Sequence, residues 1–461
     1  MKDLKNIASV YFLGIGGIGM SALARYFKSM GIKVSGYDKT PTALTNKLKE
    51  EGINIHFEDN ISLIDKKAEL VIYTPAVPKD HKEYNYFLEN NYTALKRSDV
   101  LGMITKDTYS ICVAGTHGKT TTSAMVAHVL RHSEYGCNAF LGGIATNYGT
   151  NFWSQVSATR GSSEKNISVA EADEYDRSFL KLFPDVAVIT AMDADHLDIY
   201  GTAEKLEDAF IEFAGQVKPG GLLISKFGLS RSEEFMTKNK MSYSMQNNNA
   251  DAYAENIKLN NGSYVFDIII KNRKVTDIEL NMGGMHNIEN AVAAITVAKH
   301  IGITDEKIKA AIVAFKGVKR RFEYVIKNDK LVMIDDYAHH PEELRALITG
   351  AKELFPGKKC TVIFQPHLFS RTRDFADGFA EVLSLADEVI LLPIYPAREK
   401  PVEGVNSEMI ASRMKNKNAK LLSKEAMIDE IKNNRPQLLI TAGAGDIDSQ
   451  VESIKNIFLK K

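Results

Sequence analysis

Six residues, Gly115-Thr116-His117-Gly118-Lys119-Thr120, follow the apolar run Tyr109 to Ala114 and precede a helical pattern from Thr121 to Arg131. A glycine-rich turn between a strand and a helix aims backbone N–H groups at an anion. Lys119 next to it would neutralise β- and γ-phosphate charge, and the Thr120 hydroxyl would offer an oxygen to Mg²⁺. Gly115 and Gly118 lie only three apart, closer than in the commonest phosphate loop. The shortening leaves the amides, the ammonium and the hydroxyl in place, so the chemistry survives it. The alternative, a surface turn with an incidental lysine, leaves the strand before and the helix after it unexplained.

A second glycine turn, Gly14-Ile15-Gly16-Gly17-Ile18-Gly19, follows the strand pattern Ile7 to Leu13, and Met20 to Met30 reads as the next helix. Such a turn lets a diphosphate approach a helix N-terminus closely. Asp38 ends the next strand, Lys33 to Tyr37, where a ribose hydroxyl needs an acceptor. The pattern predicts a dinucleotide or nucleotide-diphosphate site without saying which.

Acidic groups end two further strands. Glu171-Ala172-Asp173-Glu174-Tyr175-Asp176 follows Ile167 to Ala170, and Asp193-Ala194-Asp195-His196 follows Val186 to Thr190. A carboxylate at a strand end beside a phosphate loop is a natural Mg²⁺ ligand, and its position favours Glu171 over the acids after it. His196 is read as a ligand to a second cation or as a partner of a carboxylate. In His286-Asn287-Ile288-Glu289-Asn290, the amides of Asn287 and Asn290 share one helical face and could read an adenine edge. On residue types alone a capping cluster explains them as well. Arg320-Arg321 could reach a γ-phosphate or a substrate carboxylate, or could be a solvated linker. Asp335-Asp336-Tyr337-Ala338-His339-His340-Pro341 and Gln365-Pro366-His367-Leu368-Phe369-Ser370-Arg371-Thr372-Arg373 end two more strands, with groups suited to anions and amines.

The elements that must position these groups are short apolar strands alternating with helical patterns. That alternation implies parallel sheets buried on both faces, with ligands beyond the carboxyl ends of the strands. Three such units, the last running from Leu438 to Ala442 into Gly443-Ala444-Gly445-Asp446, predict an α/β chain of three domains. These are an N-terminal Rossmann-like domain (1–98), a central P-loop ATPase-like parallel sheet with an antiparallel edge (99–318), and a C-terminal Rossmann-like domain (319–461). The edge is expected from Ala252 to Leu280, where Asn261-Gly262 and Lys271-Asn272-Arg273 would turn hairpins. Ser230 to Asn249 is expected to be surface loop and helix.

Lys+Arg and Asp+Glu each number 58, so the formal net charge is zero. This argues against a dedicated nucleic-acid binder, which usually carries a basic excess. Three widely spaced cysteines define neither a disulfide framework nor a zinc spacing. No run of 18 apolar residues and no export signal is found, which predicts a soluble cytoplasmic protein without membrane partners.

Taken in order, the segments Gly14–Met20, Gly115–Thr122, Glu171–Asp176, Asp195–Gly201, His286–Asn290, Arg320–Glu323, Asp335–Pro341, Gln365–Thr372 and Gly443–Ile447 resemble the Mur ligase family. The resemblance implies ATP-dependent ligation of L-alanine to the lactyl carboxylate of UDP-N-acetylmuramic acid through an acyl phosphate, in peptidoglycan precursor synthesis. It implies that Gly14, Gly16, Ile18, Gly19 and Asp38 hold the UDP-sugar. Gly115, Thr116, His117, Gly118, Lys119, Thr120 and Thr121 would hold ATP, with Asn287 and Asn290 on the adenine, Arg321 on the γ-phosphate side, and Asp336. Thr120, Glu171 and His196 would bind the metal, with Mg²⁺ as the expected ion. Lys119, His196, His339, Arg371 and Arg373 would take part in catalysis, in a monomer or homodimer. The family's commoner pattern has serine and a small residue where Tyr175 and Arg177 stand, and a glycine where Arg398 stands. The tyrosine also occurs in a related ligase that attaches a murein tripeptide to the same sugar nucleotide. Asp195 to Gly201 and Asn147 to Asn151 follow the biosynthetic pattern instead. An NAD-dependent oxidoreductase would rest on the first glycine turn alone, and a P-loop energy transducer would leave the N-terminal nucleotide domain unexplained.

Overall fold

The computed structural model describes residues 4–154, 166–397, 399–415 and 418–459. Arg398 lies outside them. The continuous apolar runs form three predominantly parallel sheets, and the chain is a three-domain α/β protein.

The first sheet has five strands: β1 (Ser9–Leu13), β2 (Lys33–Tyr37), β3 (Asn54–His56), β4 (Leu70–Tyr73) and β5 (Ala94–Lys96). Their order is β3-β2-β1-β4-β5 and every neighbour is parallel. The connections reverse direction beside β1, so the glycine turn that follows it sits where this fold class binds ligands. Phe12 of β1 and Phe27 of the helix Ile18–Ser29 are fully buried together, which fixes that helix on the sheet.

The second sheet has ten strands: β6 (Tyr109–Ala114), β7 (Asn138–Ala145), β8 (Thr150–Ser154), β9 (Ile167–Glu171), β10 (Val186–Ile189), β11 (Leu222–Lys226), β12 (Asn239–Ser244), β13 (Ala252–Asn260), β14 (Ser263–Ile270) and β15 (Arg273–Leu280). The order is β15-β14-β13-β12-β11-β10-β6-β9-β7-β8. β6 therefore lies between β9 and β10, parallel to both, so the phosphate loop and the two acidic strand ends emerge side by side. Both residues of each hairpin turn at the edge have positive φ: Asn261 (46°) with Gly262 (77°), and Lys271 (44°) with Asn272 (65°). That backbone matches the twist of the strands it joins.

The expectation for Ser230 to Asn249 needs correction. Only Ser232–Glu234 is helical there, and β12 is a strand paired in parallel with β11. Met241 and Tyr243 alternate inward from polar neighbours, a two-residue period overlooked among the lysines and asparagines around it.

The third sheet comprises β16 (Glu323–Lys327), β17 (Val332–Asp336), β18 (Cys360–Phe364), β19 (Glu388–Leu391), β20 (Ala419–Leu421) and β21 (Leu438–Ala442), in the order β16-β17-β21-β18-β19-β20. Only β16 is antiparallel to its neighbour. The chain forms two compact units, one of residues 1–255, 267–276 and 289–313, the other of residues 256–266, 277–288 and 314–461. Cys112, Cys137 and Cys360 are buried free thiols. No helix among the described residues is long and apolar enough to cross a membrane.

Candidate functional site

The phosphate loop is held by its neighbour strand. Gly115 (φ 133°) and Gly118 (φ 82°) take backbone conformations that L side chains rarely adopt. A Cβ on Gly118 would fall 2.8 Å from Asn290 Oδ1. Thr190, just past β10, donates its hydroxyl to the carbonyls of Ala114 and His117. Thr116 N–H donates to Ala191 O at 3.1 Å. The helix Lys119–His132 starts at Gly118 with no side-chain cap, leaving its first N–H groups facing the loop.

Lys119 Nζ donates at 2.7 Å to both Gly115 O and Glu174 Oε1. Thr120 Oγ1 donates to Glu171 Oε1 at 3.0 Å, and Gly142 N donates to Glu171 Oε2 at 3.0 Å. Gly142, which its sequence context does not single out, lies against Glu171: a Cβ there would fall into the Glu171 carboxylate. Burial raises the Glu171 pKa, with nearby Lys119 and Thr120 opposing the shift.

The structure brings Thr120 and Glu171 together but places His196 with other acids. His196 Nε2 lies 3.8 Å from Glu174 Oε1 and 3.8 Å from Asp195 Oδ2. One donor atom from each of Glu174, Asp195 and His196 falls within 4.8 Å of the others, a spacing that suits one cation. Glu174 is 1% exposed, and its Oε2 has no hydrogen-bond donor among the described residues. Its Lys119 contact at that oxygen is close, at 2.7 Å, but lacks a hydrogen-bonding angle. A buried carboxylate beside a histidine and a second carboxylate is a donor set that fits a divalent cation. Burial raises the Glu174 pKa, opposed by Lys119.

Sequence reasoning ranked Glu174 below Glu171. Its position comes from a backbone reversal at Asp176 (φ 51°) and Arg177 (φ 60°) and from Tyr200, whose hydroxyl donates to Glu174 O at 2.6 Å. Tyr175, one of the departures from the family pattern, packs edge-on against His196 at 5.3 Å.

Asn287 Nδ2 donates to Gly283 O at 2.6 Å, and Asn290 Oδ1 accepts from Thr122 Oγ1 at 3.2 Å. Both amides are buried and make structural bonds beside glycine-containing turns.

In the N-terminal domain, Asp38 Oδ2 accepts from Gly16 N at 2.6 Å, and its Oδ1 accepts from Thr40 N at 3.2 Å. The carboxylate thus faces the glycine turn. Arg97, one residue before the expected end of the first domain at 98, lies against that turn. A Cβ on Gly19 would come 2.6 Å from its Nη1, while Nη2 lies 3.8 Å from Asp173 Oδ2.

In the C-terminal sheet, Asp336 accepts from Phe322 N (2.6 Å) and Ala338 N (2.7 Å), and burial pushes its pKa up to about 6. Arg321 lies over Tyr337, 5.8 Å from the ring centre. His339 Nδ1 is 3.0 Å from Tyr337 O, a group that can only accept, so Nδ1 carries the proton and Nε2 is left basic. Burial lowers the His339 pKa, and Arg371 and Arg321 lower it further. His367 stacks on Tyr395 at 5.9 Å and meets the His339 ring at 6.2 Å. Arg373, in contrast, pairs with the exposed Asp374 at 2.8 Å and is not gathered into this group.

Asp335 is buried beside Thr441 (2.5 Å) and Arg320 (3.4 Å), and burial raises its pKa to about 7. A raised folded-state carboxyl pKa favours folding below the unfolded value, and that contribution is lost as pH climbs through about 7. Asp335→Asn should therefore melt higher than the parent at pH 8, with the difference closing towards pH 4. A variant that melts lower at pH 8 would show that the Arg320 contact outweighs burial.

A phosphate loop beside two acidic strand ends, with a second glycine turn in a separate parallel sheet, defines a phosphate-loop enzyme of the α/β class. Family models described as "Mur ligase family, catalytic domain", "Mur ligase middle domain" and "Mur ligase, glutamate ligase domain" match residues 9–109, 113–298 and 320–445. The chain belongs to the Mur ligase family. It is 50% identical over 462 residues to a UDP-N-acetylmuramate–L-alanine ligase of Flavobacterium johnsoniae, covering 99% of each chain. It is 48% identical over 465 residues to the ligase of the same name from Phocaeicola vulgatus, covering 100% of each. Among solved structures it matches UDP-N-acetylmuramate–alanine ligase from Thermotoga maritima with a TM-score of 0.82 and 28% identity, over 98% of this chain and 99% of that one. A murein peptide ligase from Psychrobacter arcticus shares the fold at 22% identity and a TM-score of 0.66, over 97% and 98% of the two chains.

Proposed function

We propose that this protein joins L-alanine to the lactyl carboxylate of UDP-N-acetylmuramic acid, converting ATP to ADP and phosphate, in peptidoglycan precursor synthesis. The observation that carries the reading is full-length identity of about half to ligases of that name, on a chain whose phosphate loop, acidic strand ends and glycine turn all occupy the ligand ends of their strands. A carboxylate is a poor electrophile, and transfer of the γ-phosphoryl group gives it a leaving group. The amine of alanine then attacks the acyl carbon, and the tetrahedral oxyanion collapses with loss of phosphate.

Each residue has a share in this. Gly14, Gly16, Ile18, Gly19 and Asp38 of the domain 1–98 hold the UDP-sugar. Gly115 to Thr121 of the domain 99–318 wrap the triphosphate, and Lys119 balances its charge. Thr120 with Glu171, and Glu174 with Asp195 and His196, are two groups that would hold Mg²⁺, which when bound spreads the charge of the transferring phosphoryl group. In the domain 319–461, burial lowers the His339 pKa, and the ring offers Nε2 to an amine proton. Arg371 supplies positive charge next to it. Asp336 acts by holding the Phe322–Ala338 backbone, and so positions Arg321 and His339. On this reading the setting of the reaction is the cytoplasm.

The tripeptide-attaching reading rests mainly on Tyr175. The test is phosphate release with UDP-N-acetylmuramic acid, ATP and, in turn, L-alanine, glycine, L-serine or the murein tripeptide. L-Alanine should give the highest kcat/KM. Preference for the tripeptide would transfer the chain to the recycling reaction, and no release with any amine would end the ligase reading.

A further inference from the structure

The phosphate-loop lysine and the buried Glu174 form a pair whose consequences reach beyond each residue's own ligand. Lys119 Nζ has two partners, Gly115 O and Glu174, both at 2.7 Å, and its side chain is 13% exposed. The ammonium is thus folded back onto its own loop. Glu174 is 1% exposed; Lys119 lies 2.7 Å from its carboxylate, and His196 Nε2 lies 3.8 Å from its Oε1. The ammonium contacts both carboxylate oxygens, each at 2.7 Å. A buried carboxylate held by an ammonium and lying beside further cation ligands has two competing ways to be neutralised.

We propose that Glu174 exchanges partners. Without nucleotide it neutralises Lys119; when phosphate oxygens claim Lys119, Glu174 turns its charge to the group formed with Asp195 and His196. Nucleotide and divalent cation then bind cooperatively through this one side chain. Metal-free nucleotide must detach Lys119 and strand a buried carboxylate, whereas nucleotide with Mg²⁺ supplies the carboxylate with a new cation. The coupling is reciprocal, so Mg²⁺ affinity should rise in the presence of nucleotide by the same factor. Tyr200 fixes the backbone at Glu174, so the exchange needs only side-chain rotation. This inference rests on the ATP reading of the loop.

The test is calorimetric titration of the full chain with ATP, once in EDTA and once in excess Mg²⁺. Glu174→Gln keeps the shape and removes the charge. It should bind ATP in EDTA roughly tenfold more tightly than the parent, because Lys119 is no longer held by a carboxylate. The gain from Mg²⁺ should shrink in the same variant. Asp195→Asn, which does not touch Lys119, should leave ATP binding in EDTA unchanged while weakening the gain from Mg²⁺. A Glu174→Gln protein with unchanged affinity in EDTA would reduce Glu174 to a simple cation ligand and overturn the exchange. Weaker binding in EDTA, at unchanged melting temperature, would overturn it too. If the parent binds no ATP in either buffer, the ATP reading itself fails, a result distinct from both.

Discussion

Lys119→Ala abolishes ATP-dependent phosphate release while UDP-N-acetylmuramic acid still binds: that is the outcome expected from the geometry. Lys119 is the only residue of the loop with a full positive charge at neutral pH, and it stands at the N-terminus of the helix Lys119–His132. Loss of one preorganised charge that meets a developing anion costs roughly 10²–10³-fold in kcat, and the phosphate-loop lysine also serves binding. Activity should fall by at least that factor in a coupled ADP assay. The substitution also leaves Glu174 buried without its counter-ion, so some loss of melting temperature is expected as well. Lys119→Ala/Glu174→Gln separates the two effects: the second change should restore the melting temperature but not the turnover. UDP-sugar affinity should stay at the parent value in both variants, because Asp38 and the glycine turn belong to a different sheet. Asp38→Ala should give the mirror image, with weaker UDP-sugar binding and unchanged ATP affinity. Turnover near the parent level in Lys119→Ala would refute the phosphate role.

Strand ends and glycine turns were readable from sequence because each carries a local signature. An apolar run stopping at a glycine marks both a buried parallel strand and the place where backbone approaches a ligand. The phosphate loop and the turn after β1 are of this kind, while Asn261-Gly262 and Lys271-Asn272 are legible as hairpin turns with positive φ. What escaped were features made by tertiary contact. β12 was hidden because its inward Met241 and Tyr243 are spaced by polar residues and flanked by a polar loop. Glu174 ranked below Glu171 because the strand ends at Glu171, and nothing local announces that a left-handed reversal at Asp176 and Arg177 buries Glu174 beside Lys119. Nothing local marks Arg97, because its contact with Gly19 joins segments far apart in the chain. Asn287 and Asn290 left two readings open, and the structure gives both amides structural bonds. Local chemistry thus told which residue types could act, and packing decided which ones meet.

Gly142→Ala should remove most of the activity while leaving the fold intact, although residue 142 bears no functional group. Gly142 lies in β7 without a positive φ, so alanine strains no backbone there. The added Cβ would instead collide with both carboxylate oxygens of Glu171, the far end of a flexible side chain that can swing away. Stability should therefore change by less than about 1 kcal/mol, within the range of mild substitutions. The cost falls on the site. Displaced, Glu171 loses the N–H of Gly142 and the hydroxyl of Thr120, and Thr120 loses the acceptor that orients it. If both oxygens serve Mg²⁺, the variant should need several-fold more Mg²⁺ for half-maximal phosphate release, as Glu171→Ala should. Residues acting through one another give non-additive losses. Gly142→Ala/Glu171→Ala should accordingly be no worse than Glu171→Ala alone. Additive losses in that cycle would mean that Gly142 acts on something other than Glu171, and a parent-like Mg²⁺ titration in Glu171→Ala would remove this carboxylate from the cation's surroundings.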